Sequence, residues 1–96
     1  MITKETIRQK REDIRRIAAQ HGAVNLRVFG SVARDEPRQN SDLDLLIDVG
    51  PTTSSWFPAG LILDLEKLLG CRVEVVTEKA LSPEFREKVL SEAMPL

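Results

Sequence analysis

The chain has 96 residues, 42% of them hydrophobic, with 14 basic and 15 acidic side chains and a net charge of −1. That length holds one core, so a single domain over residues 1–96 is expected, and a charge so near zero excludes the broad basic footprint that grips nucleic-acid backbones. The single cysteine, Cys71, excludes an internal disulfide and a cysteine-based zinc site; no apolar run approaches the ~20 residues of a membrane span and the N-terminus is charged, unlike a secretory signal, so a cytoplasmic location is expected.

Residues 3 to about 20 read as one helix. Ile7, Ile14, Ile17 and Ala18 fall on a common face, Thr3 suits its start, and Gly22 after His21 suits its end. His21, the only histidine, reads either as a metal ligand or base or, since no partner motif involves it, as a polar helix end. Lys4, Arg8, Lys10, Arg11, Arg15 and Arg16 form a partner surface or a solvated face, diluted by Glu5, Glu12 and Asp13.

Val24 to Phe29 predicts a short strand that ends in Gly30, where the backbone is free to take an unusual angle or a close approach. Ser31 suits the N-cap of a brief helix to about Asp35, whose free N–H groups would face an anion, most plausibly a phosphate. Arg34 would meet that phosphate or a partner, or pair with Asp35 or Glu36. Pro37, Gln39 and Asn40 form a loop into a second strand, 42–49.

In that strand Asp42 and Asp44 share a face, roughly 6–7 Å apart. Carboxylates so close repel each other and tend to hold a proton between them, unless a divalent cation such as Mg²⁺ takes them as ligands. Leu43, Leu45, Ile47 and Val49 lie on the opposite face, toward a helical layer. Asp48 keeps the parity of Asp44 but lies about 13 Å further along, and reads as a solvated strand end.

Residues 56–69 predict a third helix, with Leu61, Leu65, Leu68 and Leu69 on one face, Pro58 in its first turn and Gly70 at its end. Trp56 and Phe57 would stack on a base or anchor the helix in the core. A third strand, 72–77, carries Glu74 among valines. Glu74 is either an exposed edge charge or, if this strand adjoins the second, a neighbour of the aspartates at about 4.8 Å strand spacing. Ser82-Pro83 opens the last helix, with Phe85, Val89 and Leu90 as its buried face, and Met94-Pro95-Leu96 reads as a tail. Alternating helices and strands imply an α/β or α+β two-layer sandwich, with helices on a small sheet.

Gly30-Ser31, ten residues, then Asp42-x-Asp44 resembles the signature of the DNA polymerase beta-type nucleotidyltransferase superfamily. The fuller string Gly-Ser-x-Ala-Arg … Ser-Asp-x-Asp-Leu is similar to its minimal nucleotidyltransferase branch. The resemblance implies a nucleotidyltransferase-like fold with a mixed sheet. It implies two Mg²⁺ ions held by Asp42, Asp44 and Glu74, with Glu74 completing the set or accepting a proton, and ATP bound by Gly30, Ser31, Arg34 and Ser41. Many members carry aspartate on the later strand, so Glu74 is a departure. It further implies a HEPN-domain toxin as partner, silenced by transfer of AMP to a tyrosine hydroxyl, so that the chain acts as its antitoxin. The alternative is a non-catalytic antitoxin that covers the toxin sterically; close-set carboxylates favour the enzyme. A template-directed polymerase is disfavoured, because no second domain or basic surface is there to hold a duplex.

Overall fold

A computed structural model describes residues 1–36 and 42–96. The elements, in order, are α1 (Lys4–Gln9), α2 (Arg11–His21), β1 (Ala23–Phe29), α3 (Gly30–Ala33), β2 (Leu43–Val49), α4 (Ala59–Leu69), β3 (Val73–Val76), a 3₁₀ turn (Glu78–Ala80), α5 (Pro83–Glu92) and β4 (Met94–Pro95). The strands form one mixed sheet in the order β3-β2-β1-β4. β1 runs antiparallel to β2 and β4, and β2 runs parallel to β3, with α4 as the crossover.

The expected first helix is two. Thr3 caps α1 as predicted, its hydroxyl accepting from the Thr6 N–H at 3.2 Å. Lys10, at φ −103° and ψ 13°, then breaks the run. The bend is fixed by tertiary contacts that periodicity does not register: Ile2 and Ile7 are buried, and Lys4 reaches Asp35 at 3.0 Å. Gly22 closes α2 in the left-handed region at φ 89°, its N–H bonding back to the Ala18 and Ala19 carbonyls.

One face of β2 makes the core. Leu43, Leu45 and Ile47 are buried with Ile14 and Ala18 of α2 and Leu61 and Leu65 of α4. Each large aliphatic side chain so placed contributes roughly 1.5–3 kcal/mol. Val49, assigned to the same face, is 52% exposed: parity names a face but not how far the helical layer extends along it.

Three further expectations are corrected. α4 starts at Ala59, because Trp56 sits at φ +62° in the turn before it; Phe57 packs on the core while Trp56 stands 88% exposed. On α5 only Val89 is buried, with Phe85 62% exposed, since α5 touches the body through α3 near its C-terminal end. The expected tail is a strand: Met94 pairs with Val28 and Pro95 with Arg27, and the Leu96 N–H bonds the Leu26 carbonyl at 3.1 Å. No described helix is long and apolar enough to cross a membrane.

Candidate active site

The sheet register gathers the candidate residues. In the antiparallel pair Phe29 lies opposite Asp44, so the turn that leaves β1 begins beside that carboxylate. In the parallel pair Asp44 lies opposite Glu74, so both readings of Glu74 hold: it is exposed on an edge strand and it adjoins Asp44. Asp42 precedes β2 with its side chain one-third exposed.

Gly30 is required by this closeness. It sits at φ +78°, and a Cβ there would collide with Asp44 Oδ2 and lie 3.1 Å from Asp44 Cγ. Any side chain would push the aspartate and the turn apart, on top of the strain of a positive φ. Gly30 is itself the first residue of α3, with Phe29 in the cap position and no side-chain capping bond, so Ser31 does not cap the helix as expected. Ser31 lies one residue into the turn, half-buried, its carbonyl accepting from the Glu36 N–H at 2.9 Å.

Burial raises the Asp44 carboxyl to about 7, and its hydrogen bond to Glu74 and the charges of Glu74 and Asp42 push in the same direction; the Arg34 charge opposes them. Burial and the neighbouring carboxylates thus favour the protonated form of Asp44. Among the described residues no three His, Cys, Asp or Glu side chains already surround a common point at ligand distance. The donor chemistry nevertheless fits a hard divalent cation: Asp44 lies opposite Glu74 across the β2–β3 pair, and Asp42 lies two residues from Asp44. Arg72, itself 85% exposed, is only a loose neighbour of Asp42, with Nε 3.9 Å from Oδ1.

Arg34 has a partner that sequence reasoning missed. Its Nη1 donates to both carboxylate oxygens of Glu92 at 3.1 Å, while Nε reaches Glu36 at 3.4 Å; Asp35 is taken by Lys4. Glu92 Oε1 also accepts from the Gly30 N–H at 3.0 Å. An acidic residue in the last turn of a helix opposes the helix dipole, and that misfit was the one available signal. Ser41 falls outside the described residues.

The remaining polar candidates lie elsewhere. His21 bonds Ser54 Oγ through Nδ1 at 2.6 Å and Asp64 Oδ2 through Nε2 at 2.7 Å, tying the end of α2 to the loop and helix that follow β2. Asp48 is exposed and held by Asn25 and Arg27. A groove of about 1010 Å³ runs between the far end of β2, the 3₁₀ turn and α5, lined in part by Ile47, Thr77, Leu81, Arg86 and Leu90; none of Asp42, Asp44 and Glu74 lines it.

Comparison with known proteins identifies the family. Residues 7–96 match the model of the nucleotidyltransferase domain family. The chain is 36% identical over 73 residues to the protein adenylyltransferase MntA of Thermococcus cleftensis, covering 76% of this chain and 74% of that one. It superimposes on a solved structure described as a candidate minimal nucleotidyltransferase at a TM-score of 0.84 and 50% identity, covering 99% of this chain and 97% of that one. It shares its fold with a toxin–antitoxin crystal structure containing AMP-PNP, at a TM-score of 0.72 and 19% identity over 88% of this chain and 69% of that one. The chain is therefore an enzyme of the nucleotidyltransferase domain family, in its minimal form.

Proposed function

We propose that the chain transfers AMP from ATP to a tyrosine hydroxyl of a HEPN-domain toxin and so acts as its antitoxin. The observation that carries the reading is the register that sets Asp44 between Gly30 of the turn and Glu74 of β3. A glycine turn beside the neighbouring carboxylates of β2 and β3 suits nucleotidyl transfer. The protein adenylyltransferase relative and the toxin–antitoxin neighbour support the choice of donor and partner.

In this mechanism Gly30, Ser31, Arg34 and Ser41 hold the triphosphate. Asp42, Asp44 and Glu74 would hold two Mg²⁺, which when bound supply positive charge to the phosphates and to the attacking oxygen. The tyrosine oxygen forms a bond to the α-phosphorus as the bond to the pyrophosphate oxygen breaks. Glu74 accepts the phenolic proton or remains a ligand. The AMP then places bulk and negative charge on the toxin, where it excludes RNA.

Intact-mass analysis of the partner after co-expression tests the reading. Wild-type chain is expected to add one or more AMP units, and the Asp42→Asn/Asp44→Asn variant none. A toxin silenced equally by both, without a mass change, would instead establish steric neutralisation.

A further inference from the structure

We propose that Glu92 is a positioning residue for nucleotide transfer: one carboxylate at the end of α5 fixes both the Gly30 turn and Arg34. The proposal rests on the nucleotidyltransferase reading of the site.

The β1–β4 ladder explains how Glu92 arrives there. Val28 pairs with Met94, so two steps on in antiparallel register Gly30 falls opposite residue 92. The strand has by then given way to helix on both sides, and the Gly30 N–H would lose its ladder partner. The Glu92 side chain takes over, accepting from Gly30 at 3.0 Å through Oε1. The same oxygen accepts from Arg34 Nη1 at 3.1 Å, and Oε2 accepts from that nitrogen at an equal distance.

Glu92 is mostly covered on its side of the contact, while Arg34 is exposed. The Glu92 side chain is 16% exposed and Arg34 39%, whereas Asp13–Arg16 and Glu12–Arg15 on α2 are far more open. A carboxylate accepting from a backbone N–H and a guanidinium makes charge-assisted bonds, stronger than neutral ones. Its position in the last turn of α5 works against the helix dipole, so its local effect is unfavourable and its gain comes from the contact with α3.

The mechanical consequence follows from Gly30. The turn lies against Asp44, whose carboxylate a Cβ at Gly30 would meet. Glu92 holds Gly30 from the opposite direction, through its N–H. The turn is thus set between Asp44 and Glu92, and the orientation of Arg34 depends on the second of these.

Direct titration of the purified chain with a fluorescent ATP analogue and Mg²⁺, together with steady-state transfer assays, tests this. Glu92→Ala is expected to weaken nucleotide binding about tenfold and to raise the KM for ATP in proportion, with a smaller fall in kcat. Glu92→Gln, which keeps an acceptor for the Gly30 N–H, is expected to recover part of the loss. In an Arg34→Ala background the Glu92→Ala substitution is expected to have a smaller effect than in wild type, the remainder being the lost bond to the Gly30 N–H. Tighter nucleotide binding by Glu92→Ala, unchanged binding, or effects of Glu92→Ala and Arg34→Ala that simply multiply would each overturn the proposal. Wild-type chain that binds no ATP would instead overturn the underlying reading of the site.

Discussion

Asp44 concentrates the physics of the site. Its carboxyl is raised from 3.8 to about 7, so the folded state binds its proton more tightly than the unfolded state does. Below pH 3.8 both states are protonated and the group contributes nothing. Between pH 3.8 and 7 the unfolded chain releases the proton while the folded chain keeps it, so stability falls as pH rises, and above 7 the full penalty applies. Asp44→Asn removes this penalty. After discounting for solvent screening, the metal-free variant should exceed wild type by about 1–2 kcal/mol at pH 8, seen as a Tm several degrees higher. The difference should shrink toward pH 4; a variant less stable at pH 8 would show Asp44 to be a structural group. Much of this site was legible in the sequence, because Asp42, Asp44 and Gly30 act through spacing and backbone freedom, both local properties. Glu92 was not, because it lies 62 residues beyond Gly30 and only folding brings them together.

At the scale of elements, strands were easier to read than helix ends. β1, β2 and β3 carry strong apolar patterns, and each was anticipated to within a residue or two. The break at Lys10 has no glycine or proline to announce it, and β4 is two residues long with a proline in it. Proline lacks the N–H of a ladder donor and is confined to edges, which is where β4 lies. Pattern alone reads such a segment as a tail. The structure gives it weight: Arg15 donates to the Leu96 carbonyl at 3.0 Å, the Leu96 N–H bonds Leu26, and the Leu96 side chain packs on the core. Removal of Met94 to Leu96 should therefore lower stability by about 1–3 kcal/mol in urea unfolding. A midpoint unchanged by the truncation would return the segment to a mere tail.

For the whole molecule, a small mixed sheet brings carboxylates of β2 and β3 beside one glycine turn, and adenylyl transfer there is the proposed activity. With helices on the Leu43, Leu45 and Ile47 face, Asp44 lies on the opposite face of β2, where Leu46 is also buried. A surface of mixed charge and a net charge of −1 suit a protein acceptor better than a nucleic-acid template. The fold class followed from periodicity, whereas the strand order did not, since parallel and antiparallel pairing depend on crossovers that local pattern leaves open. The most direct measurement compares ATP labelled on the α-phosphate with ATP labelled on the γ-phosphate, each incubated with Mg²⁺, the chain and its purified partner. The account predicts that the α label alone becomes covalently attached to the partner, with wild type and not with the Asp42→Asn/Asp44→Asn variant. Attachment of the γ label, or equal α labelling by the double variant, would contradict it.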